Sequence, residues 1–310
     1  MHKMVTPMAR IMAVINVLSL LCACNHTTQS SLDTTAIEEA LNQQIASVET
    51  LLNNMQRRID ALLNSKTAPA PIYSPNCYQQ QNGEFLTDHQ HCAETNFFVP
   101  NHHTITPDLL RYLILTEHLE DVFRNNRNTV PGIGWQYVLD FKHGAMRVYP
   151  WTNPQLITAA DLEWNKFQFY LQAKGNHDAN LVQCTKRVGN DTGGLGKIVI
   201  CTKTIVHKDR PYGLVGIDLT INPLFDGVRR HLGHDARHFG FIIYNGAEVV
   251  KPLFLDDYKN ANITLADFSV EGHGKAYILH GERFTTRLRD LQIKHFDFRL
   301  LELTRAKDKK

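Results

Sequence analysis

The feature that most restricts the fold of this chain is a long amphipathic helix predicted between residues 31 and 65. Its apolar residues recur at the a and d positions of a heptad, with a second apolar row beside them. The a/d row contains Ile37, Leu41, Val48, Leu51, Met55 and Leu62, and the second row contains Ile45, Leu52 and Ile59. Such a stripe must be buried, either in a coiled-coil dimer or against the body of the same chain, and the sequence leaves both arrangements open. At about 1.5 Å per residue the helix would extend about 50 Å, enough for a stalk.

The segment before this helix has the features of a bacterial export signal. A basic start leads into a compact apolar run over residues 11–21, too short for a transmembrane helix, which needs about 20 apolar residues. The run closes with Leu21-Cys22-Ala23-Cys24, which resembles a lipobox. We therefore predict a signal peptide over residues 1–23, lipidation of Cys24 and a place in the bacterial cell envelope. Asn25 favours the outer membrane, with the protein facing the periplasm. An ordinary secretory signal is the alternative.

The cysteine count agrees with export. One cysteine lies in the signal peptide and Cys24 is the predicted lipid site, which leaves four in the mature chain. An even number in an oxidising compartment indicates two disulfides. Three pairings are open, and pairing of sequence neighbours gives Cys77–Cys92 and Cys184–Cys201. Each would close a loop of about 15 residues, which is worth about 3 kcal/mol in the chain-entropy model.

Composition and charge exclude several classes of protein. The 310 residues are 43% hydrophobic and 21% charged, as in globular proteins of one or two domains. The net charge of +2, without a long basic block, argues against nucleic-acid binding. No known catalytic signature such as G-x-S-x-G or H-E-x-x-H is present, so we expect no enzyme activity, no metal site and no cofactor. An envelope hydrolase is a weaker alternative.

The order of the remaining elements predicts an α+β fold with a mainly antiparallel sheet. A Pro-containing linker after residue 66 ends the long helix and leads into a polar loop region over residues 67–104. The elements predicted beyond it are a helix over Pro107–Asn126, a hairpin of Trp135–Phe141 and Ala145–Tyr149, a helix over Ala159–Ala173, strands Lys197–Ile205 and Gly213–Thr220, and a helix starting at Asn222.

Four ordered blocks in this region resemble successive segments of Cache domains, which are PAS-like extracellular sensor modules of bacterial receptors. The blocks are WQYVLDFKHGAMRVYPW, KFQFYLQA, NDTGGLGKIVICTKTI and GLVGIDLTINPL. The resemblance implies a double-Cache arrangement, in which a long helix is followed by a PAS-like antiparallel-sheet domain and a smaller second PAS-like module. The implied organisation is a signal peptide (1–23), a tether and amphipathic helix (24–66), a polar loop region (67–104), a Cache domain (105–230) and the second module (231–310).

The same resemblance implies a small-molecule pocket between the sheet and the loops above it. In amine-recognising members a helix motif that begins with Arg precedes a Tyr-x-Asp motif. Here Phe167 replaces the Arg, and Asp191 stands one place beyond the aligned acid. The expected ligand-binding residues are Tyr149, Trp151, Phe169, Tyr170 and Asp191, with Arg147 as a substitute partner for a ligand carboxylate. The alternative is that the aromatic residues belong to the core.

These expectations describe an envelope lipoprotein that binds a small molecule and signals through a partner protein. No later apolar run approaches the length of a membrane helix, so a partner would have to carry the signal onward. The amphipathic helix is the predicted contact for that partner or for a homodimer. The alternative function is a structural or assembly lipoprotein that uses the fold and the helix for protein contacts without a ligand.

Overall fold

The structure is a computed structural model, and it describes most of the chain from residue 32 to residue 306. The described residues are 32–67, 69–73, 77, 79–81, 85–87, 93–100, 106–186, 188–191, 194–235, 238–244, 247–250, 264–267, 269–271, 276–279 and 282–306. The predicted signal peptide and Cys24 lie outside these residues, so their processing stays a prediction. Within the described ranges, no helix has the length and apolar character needed to cross a bilayer.

The amphipathic helix forms as predicted and is buried against its own chain. It is α1 (Thr34–Leu63), and the Asp33 side chain caps it by accepting a hydrogen bond from the Ala36 N–H at 3.2 Å. Its apolar stripe joins the main hydrophobic core together with residues of both sheets. The expectation of a partner or dimer contact through this stripe is therefore corrected, because the stripe is already covered within one chain.

Polar side chains fix where α1 lies along this core. The Gln56 side chain is buried, and its Nε2 donates to the carbonyl oxygens of Ala179 and Thr204, both at 2.9 Å. At the other end of the helix, Asn42 Nδ2 donates to the Gln292 carbonyl at 2.8 Å. These hydrogen bonds hold α1 at two points along its length.

The other helices depart from the prediction at two places. The described ones are α2 (Pro107–Glu117), α3 (Glu120–Arg127), α4 (Gln168–Gly175) and α5 (Ile221–Leu232). The single helix expected over Pro107–Asn126 is interrupted, with His118 as the C-cap of α2 and Leu119 as the N-cap of α3. The helix expected over Ala159–Ala173 is instead two 3-10 turns, Ala159–Leu162 and Trp164–Lys166, followed by α4.

In the described part of the chain, nine strands form a first antiparallel sheet in the order β1-β2-β3-β5-β4-β9-β8-β6, with β7 paired to β8. The predicted hairpin is confirmed as β4 and β5. The strands are β1 (Gln79–Gln81), β2 (Phe85–Thr87), β3 (Asn96–Pro100), β4 (Ile133–Asp140), β5 (Met146–Tyr149), β6 (Val182–Cys184), β7 (Gly189–Asn190), β8 (Lys197–His207) and β9 (Arg210–Thr220).

Three strands, β1, β2 and β3, lie inside the region over residues 67–104 that the sequence predicts as a polar loop. Strand β3 lies inside that region and pairs with β5, with Asn96 opposite Val148 and Phe98 opposite Met146. Its three apolar residues, Phe97–Val99, are too short a run to mark a strand in a polar segment.

A second sheet contains the later strands in the order β10-β11-β16-β15-β14-β13, with β12 paired to β11. The predicted α+β class with mainly antiparallel sheets is therefore confirmed. The strands are β10 (Gly233–Asp235), β11 (His238–Tyr244), β12 (Ala247–Val250), β13 (Ser269–Glu271), β14 (Ala276–Leu279), β15 (Glu282–Asp290) and β16 (Phe298–Arg305).

One of the two predicted disulfides is present among the described residues. Cys184 and Cys201 are bonded, and they stand opposite each other in the pairing of β6 with β8. Cys77 is also disulfide-bonded. Because Cys92 lies outside the described residues, the Cys77–Cys92 pairing stays a prediction.

The two faces of the first sheet are covered differently. On one face, side chains such as Val138, Val199 and Ile217 share a core with α1. On the other face, Tyr137 and Val148 pack with residues of the 3-10 turns and α4. This second face contains the candidate site.

We expect truncation of α1 at its buried face to destabilise the protein strongly. Leu52 is 0% exposed, so Leu52→Ala should lower the free energy of unfolding by about 2–5 kcal/mol, the usual cost of a leucine-sized cavity. Leu171 is 53% exposed on α4, so Leu171→Ala should change it by less than about 0.5 kcal/mol. Denaturant titration of both variants measures the difference. Equal, small effects would contradict burial of α1 within one chain.

Candidate functional site

A cavity of about 190 Å³ lies between the first sheet and the turns that cover its second face. Its floor is formed by side chains of β3, β4, β5, β8 and β9, and its cover by the segment around the 3-10 turns, the start of α4 and the turn after β7. The lining residues are Phe98, Trp135, Tyr137, Met146, Val148, Thr152, Ile157, Asp161, Leu162, Trp164, Phe167, Phe169, Asn190, Asp191, Ile198, Ile200 and Asp218.

Aromatic rings make up much of the cavity wall. Tyr137 and Phe169 meet edge to face, with ring centroids 6.1 Å apart, and the Phe167 ring lies 5.8 Å from that of Phe169. Trp164 is fixed in place because its indole N–H donates to the Gly144 carbonyl at 2.7 Å. Aromatic faces of this kind attract cations as well as apolar groups.

A glycine allows the Tyr137 ring to lie flat on the neighbouring strand. Tyr137 stands opposite Gly216 of β9, and a Cβ at position 216 would come within 2.3 Å of the Tyr137 ring. Any side chain at this position would displace the ring. The glycine therefore sets where the phenol points.

Asp191 is oriented by two hydrogen bonds to its carboxylate. The Trp135 indole N–H donates to Oδ1 at 3.0 Å, and the backbone N–H of Leu195 donates to Oδ2 at 2.8 Å. The Asp191 N–H in turn donates to the Gly196 carbonyl at 2.8 Å. The Gly-rich turn after β7 thus holds an acid at the cavity wall.

Asp218 is the polar residue of the site that sequence reasoning missed. It lies on β9, is 6% exposed, and its Oδ1 has no hydrogen-bond partner among the described residues. The Tyr137 hydroxyl is also buried without a described partner; it is close enough to influence the Asp218 pKa but does not reach hydrogen-bond geometry. The sequence signal for Asp218 is a single carboxylate within an otherwise apolar strand. Burying an unpaired carboxylate charge costs free energy, so such a residue is a candidate for a functional role.

Burial determines the ionisation of this pair. Burial, followed by the charge of the nearby Asp191 carboxylate, raises the pKa of Asp218 to about 8. Burial and the neighbouring Asp218 raise the pKa of the Tyr137 phenol well above its usual value. The Asp218 carboxyl and the Tyr137 hydroxyl therefore line one cavity without a described hydrogen-bond partner. A bound hydrogen-bond donor would offset the free energy that burying these two groups costs.

The cavity is acidic rather than basic. Asp161, Asp191 and Asp218 all line it, whereas none of its described lining residues is Lys, Arg or His. Asp161 is partly used, because its Oδ2 accepts hydrogen bonds from the Thr158 backbone and hydroxyl at 2.9 and 2.7 Å. The site is thus suited to a cation or a neutral hydrogen-bond donor. Across the described ranges, no group of three metal-ligating side chains comes together.

Of the six predicted ligand-binding residues, two line the cavity. Phe169 and Asp191 do so, while Arg147, Tyr149, Trp151 and Tyr170 are not among its described lining residues. Phe169 and Tyr170 are adjacent on a helix and point in different directions, so the Tyr170 ring instead meets Phe141 edge to face, with centroids 5.3 Å apart. Trp151 donates its backbone N–H to the Glu94 carbonyl at 2.6 Å.

Arg147 and Tyr149 lie on the opposite face of the sheet, which corrects their assignment. Alternate residues of a strand point to opposite faces, and Met146 and Val148 are the β5 residues that line the cavity. Tyr149 instead stacks on Phe123 of α3, with centroids 6.1 Å apart. The expected replacement for the missing helix arginine is therefore on the wrong side of the sheet.

The Arg147 guanidinium has a structural role. It is 1% exposed and donates to the Thr116 hydroxyl at 3.0 Å, the Thr95 hydroxyl at 3.0 Å and the Leu113 carbonyl at 3.1 Å. Thr95 also donates its N–H and hydroxyl to Glu120, at 3.1 and 2.6 Å. A buried charge with this many partners stabilises the contact between β5 and α2, and its partners leave it little capacity for a ligand.

Comparison with known proteins gives matches only among solved structures. No family model matches the chain, and no curated protein matches it. The ligand-binding domain of the amino acid chemoreceptor PctB of Pseudomonas aeruginosa PAO1, solved with L-Arg, is similar at 12% identity and TM-score 0.49, over 88% of this chain and 92% of that one. The corresponding domain of Campylobacter jejuni Tlp3 with 4-methylisoleucine is similar at 11% identity and TM-score 0.48, over 89% and 90%.

A third similar structure is the ligand-binding domain of the Pseudomonas fluorescens chemoreceptor CtaA with L-serine. It shows 11% identity and TM-score 0.43, over 87% of this chain and 93% of that one. All three are ligand-binding domains of chemoreceptors by the names of their structures. At these identities the likeness concerns the fold.

We expect Asp218→Asn to remove a pH dependence of stability. The folded protein holds the Asp218 proton up to about pH 8, whereas an unfolded aspartate loses it near about pH 4. The folded state therefore binds more protons between these values, and the contribution of this carboxyl to the free energy of unfolding falls as pH rises. The stability of Asp218→Asn relative to the parent should increase from about pH 5 to about pH 8 and then level off.

Denaturant titrations across this pH range measure the difference between parent and variant. Asp290→Asn is the matched control, since Asp290 is an exposed aspartate on β15, away from the cavity. A difference between parent and Asp218→Asn that does not vary with pH would contradict the raised pKa.

Proposed function

We propose that this chain is an envelope lipoprotein whose Cache-type domain binds a small organic amine and reports its presence through a partner protein. The observation that supports the ligand is the cavity itself, in which the buried Asp218 carboxyl and Tyr137 hydroxyl face an aromatic wall without described hydrogen-bond partners. An ammonium group donates hydrogen bonds to both oxygens, and its charge favours the carboxylate form, so binding would release the proton that Asp218 holds below about pH 8. The aromatic rings would bind the remainder of the ligand and the outer surface of the cation.

The cavity favours an amine over a complete amino acid. The names of the similar solved structures give L-Arg, 4-methylisoleucine and L-serine as their ligands. An α-carboxylate would need a basic partner, and none of the described lining residues is basic. With about 190 Å³ of space, the ligand has to be small.

The cellular part of the proposal rests on the sequence. The compact apolar run and its closing Cys24 support lipid anchoring in the envelope, and the disulfide between Cys184 and Cys201 is in keeping with an oxidising compartment. In this arrangement the modules over residues 105–230 and 231–310 stand outside the cytoplasm. Signalling requires a partner protein whose contact surface is separate from the covered stripe of α1.

A structural or assembly lipoprotein is the second candidate. It is favoured by the placement of Tyr149 and Tyr170, which are buried in the core rather than directed at the cavity. In that case the aromatic residues only stabilise the fold. A ligand screen separates the two functions.

A thermal-shift screen of the mature chain, including α1, tests the ligand. At about 100 times its Kd, a ligand that binds only the folded state stabilises it by about 2.7 kcal/mol, which is a shift of several degrees in Tm. We expect shifts from small primary and quaternary amines and none from organic acids that lack an amino group. Asp218→Asn and Asp191→Asn should abolish the shift.

Asp290→Asn is the control for a change of charge away from the cavity, and it should keep the full shift. Tyr137→Phe should weaken the response while leaving the fold intact, because only the hydroxyl is removed. A broad screen without any shift, or hits that persist in Asp218→Asn, would reject the amine site and favour the structural candidate.

Replacement of Cys24 tests the anchor separately. Cys24→Ser removes the thiol that would carry the lipid, so we expect loss of lipid labelling and release of the protein from the membrane fraction. Cys22→Ser is the matched control, because a small residue at that place preserves the lipobox pattern and labelling should persist. Membrane retention of a parent protein that carries no lipid label would disprove lipid anchoring.

A further inference from the structure

We propose that the cavity on the first sheet binds a short diamine, with one ammonium group at each end of a slot that crosses several strands. One end is formed by Asp191 and Asp218, here called the acid pair, and the other by Asp161, here called the far acid. This inference rests on the proposed function, since it names the class of amine that the same cavity takes. It adds a second ammonium site, which a monoamine does not need.

The acid pair and the far acid lie over different strands of the first sheet. Asp218 is on β9, and Asp191 follows β7, which pairs with β8. Asp161 belongs to the 3-10 turn Ala159–Leu162, which lies against β3. In the strand order, β5 and β4 separate β3 from β9. The two ends are therefore three strand spacings apart, or about 14 Å.

The acid pair provides the first ammonium site. Burial, and then the charge of the Asp191 carboxylate, raises the pKa of Asp218, so the two carboxyl groups lie near each other. The Asp218 side chain is 6% exposed, and its Oδ1 has no hydrogen-bond partner among the described residues. One ammonium group carries three N–H donors, enough to reach both carboxylates.

The far acid provides the second site because part of its carboxylate is available. Asp161 Oδ2 accepts hydrogen bonds from the backbone and hydroxyl of Thr158, which hold the carboxylate in place. Its Oδ1 accepts none within the described part of the chain. The neighbouring cation Lys166 pairs with Glu163 instead. A second ammonium group can therefore donate to Asp161 at the cavity wall.

The stretch between the two ends is apolar. Met146 and Val148 of β5 form its floor, and Leu162, Trp164 and Phe167 belong to its cover. An alkyl chain suits this stretch, since each methylene that leaves water raises affinity about fourfold. A polar group in the middle of the ligand would lose its hydration without finding a partner.

The strand spacing sets the length of the ligand. A separation of about 14 Å, less a charge-assisted hydrogen bond of about 2.8 Å at each end, leaves about 8 Å between the two nitrogens. Unbranched α,ω-diaminoalkanes of about five carbons have this length in the extended, staggered conformation.

Calorimetric titration of the mature chain with matched ligands tests the second site. The ligand pairs are 1,5-diaminopentane with pentylamine, and 1,4-diaminobutane with butylamine. We expect each diamine to bind about 10- to 100-fold more tightly than its monoamine, the range of a hydrogen bond between charged groups. Affinity along the diamine series should peak near five carbons and then fall. A single ammonium site would instead give an affinity that keeps rising with chain length.

Two variants of the cover assign the effect to Asp161. Asp161→Asn removes the charge but keeps an acceptor oxygen for Thr158, so it should lower diamine affinity to that of the monoamine and leave monoamine affinity unchanged. Glu163→Gln is the matched control, because it removes an acid from the same segment that is not among the described lining residues. It should leave the affinities of both ligand classes unchanged.

The outcomes separate this inference from the proposed function. Diamines that bind no more tightly than monoamines to the parent protein would overturn the inference, whatever the variants do, and leave the amine site in place. Absence of binding by either class would reject the amine site and the diamine with it. Equal losses of diamine affinity in Asp161→Asn and Glu163→Gln would also overturn the inference, since the effect would then come from charge in general.

Discussion

The burial of one helix against two sheets is the contact on which the rest of the structure depends. The apolar stripe of α1 meets the first sheet through residues such as Leu52 and Ile59, and its amino-terminal part lies against the second sheet. Each fully buried leucine or isoleucine contributes about 1.5–3 kcal/mol relative to an exposed one. Helix α1 therefore shares one hydrophobic core with side chains of both sheets.

The hydrophobic periodicity of the sequence predicts some features of the α1 contact and not others. The heptad pattern predicts α1 to within three residues at each end, because a repeat specifies which face must be buried. The pattern does not predict which surface buries the stripe, because a sheet and a second helix can cover the same apolar residues. Strand β15 shows the opposite case: several of its residues, including Arg283 and Arg287, are exposed, so the alternation that marks a half-buried strand is weak.

The candidate site was predictable where the signal was local. Asp191 follows from the Gly-rich turn and Phe169 from an aromatic helix segment. Arg147 was misplaced because only distant segments, carrying Thr95 and Thr116, make its burial on the helix-covered face favourable. Asp218 was missed because its strand looks like ordinary core. Asp218 becomes a candidate only in the structure, where the hydroxyl of Tyr137 on the neighbouring strand lies close to it without a described hydrogen-bond partner.

The hydrogen bonds of Gln56 determine how α1 can move. Its Nε2 reaches two carbonyl oxygens, those of Ala179 and Thr204, in a buried setting. A slide of the helix by one turn, about 5.4 Å, would break both bonds and leave an amide and two carbonyls unsatisfied, at about 1–3 kcal/mol for each group. Piston-like sliding is thus opposed by the polar contacts, while a small tilt or rotation about Gln56 keeps them. A tilt about Gln56 would instead disturb the hydrogen bond from Asn42 Nδ2 to the Gln292 carbonyl, so the polar contacts hold α1 against both motions.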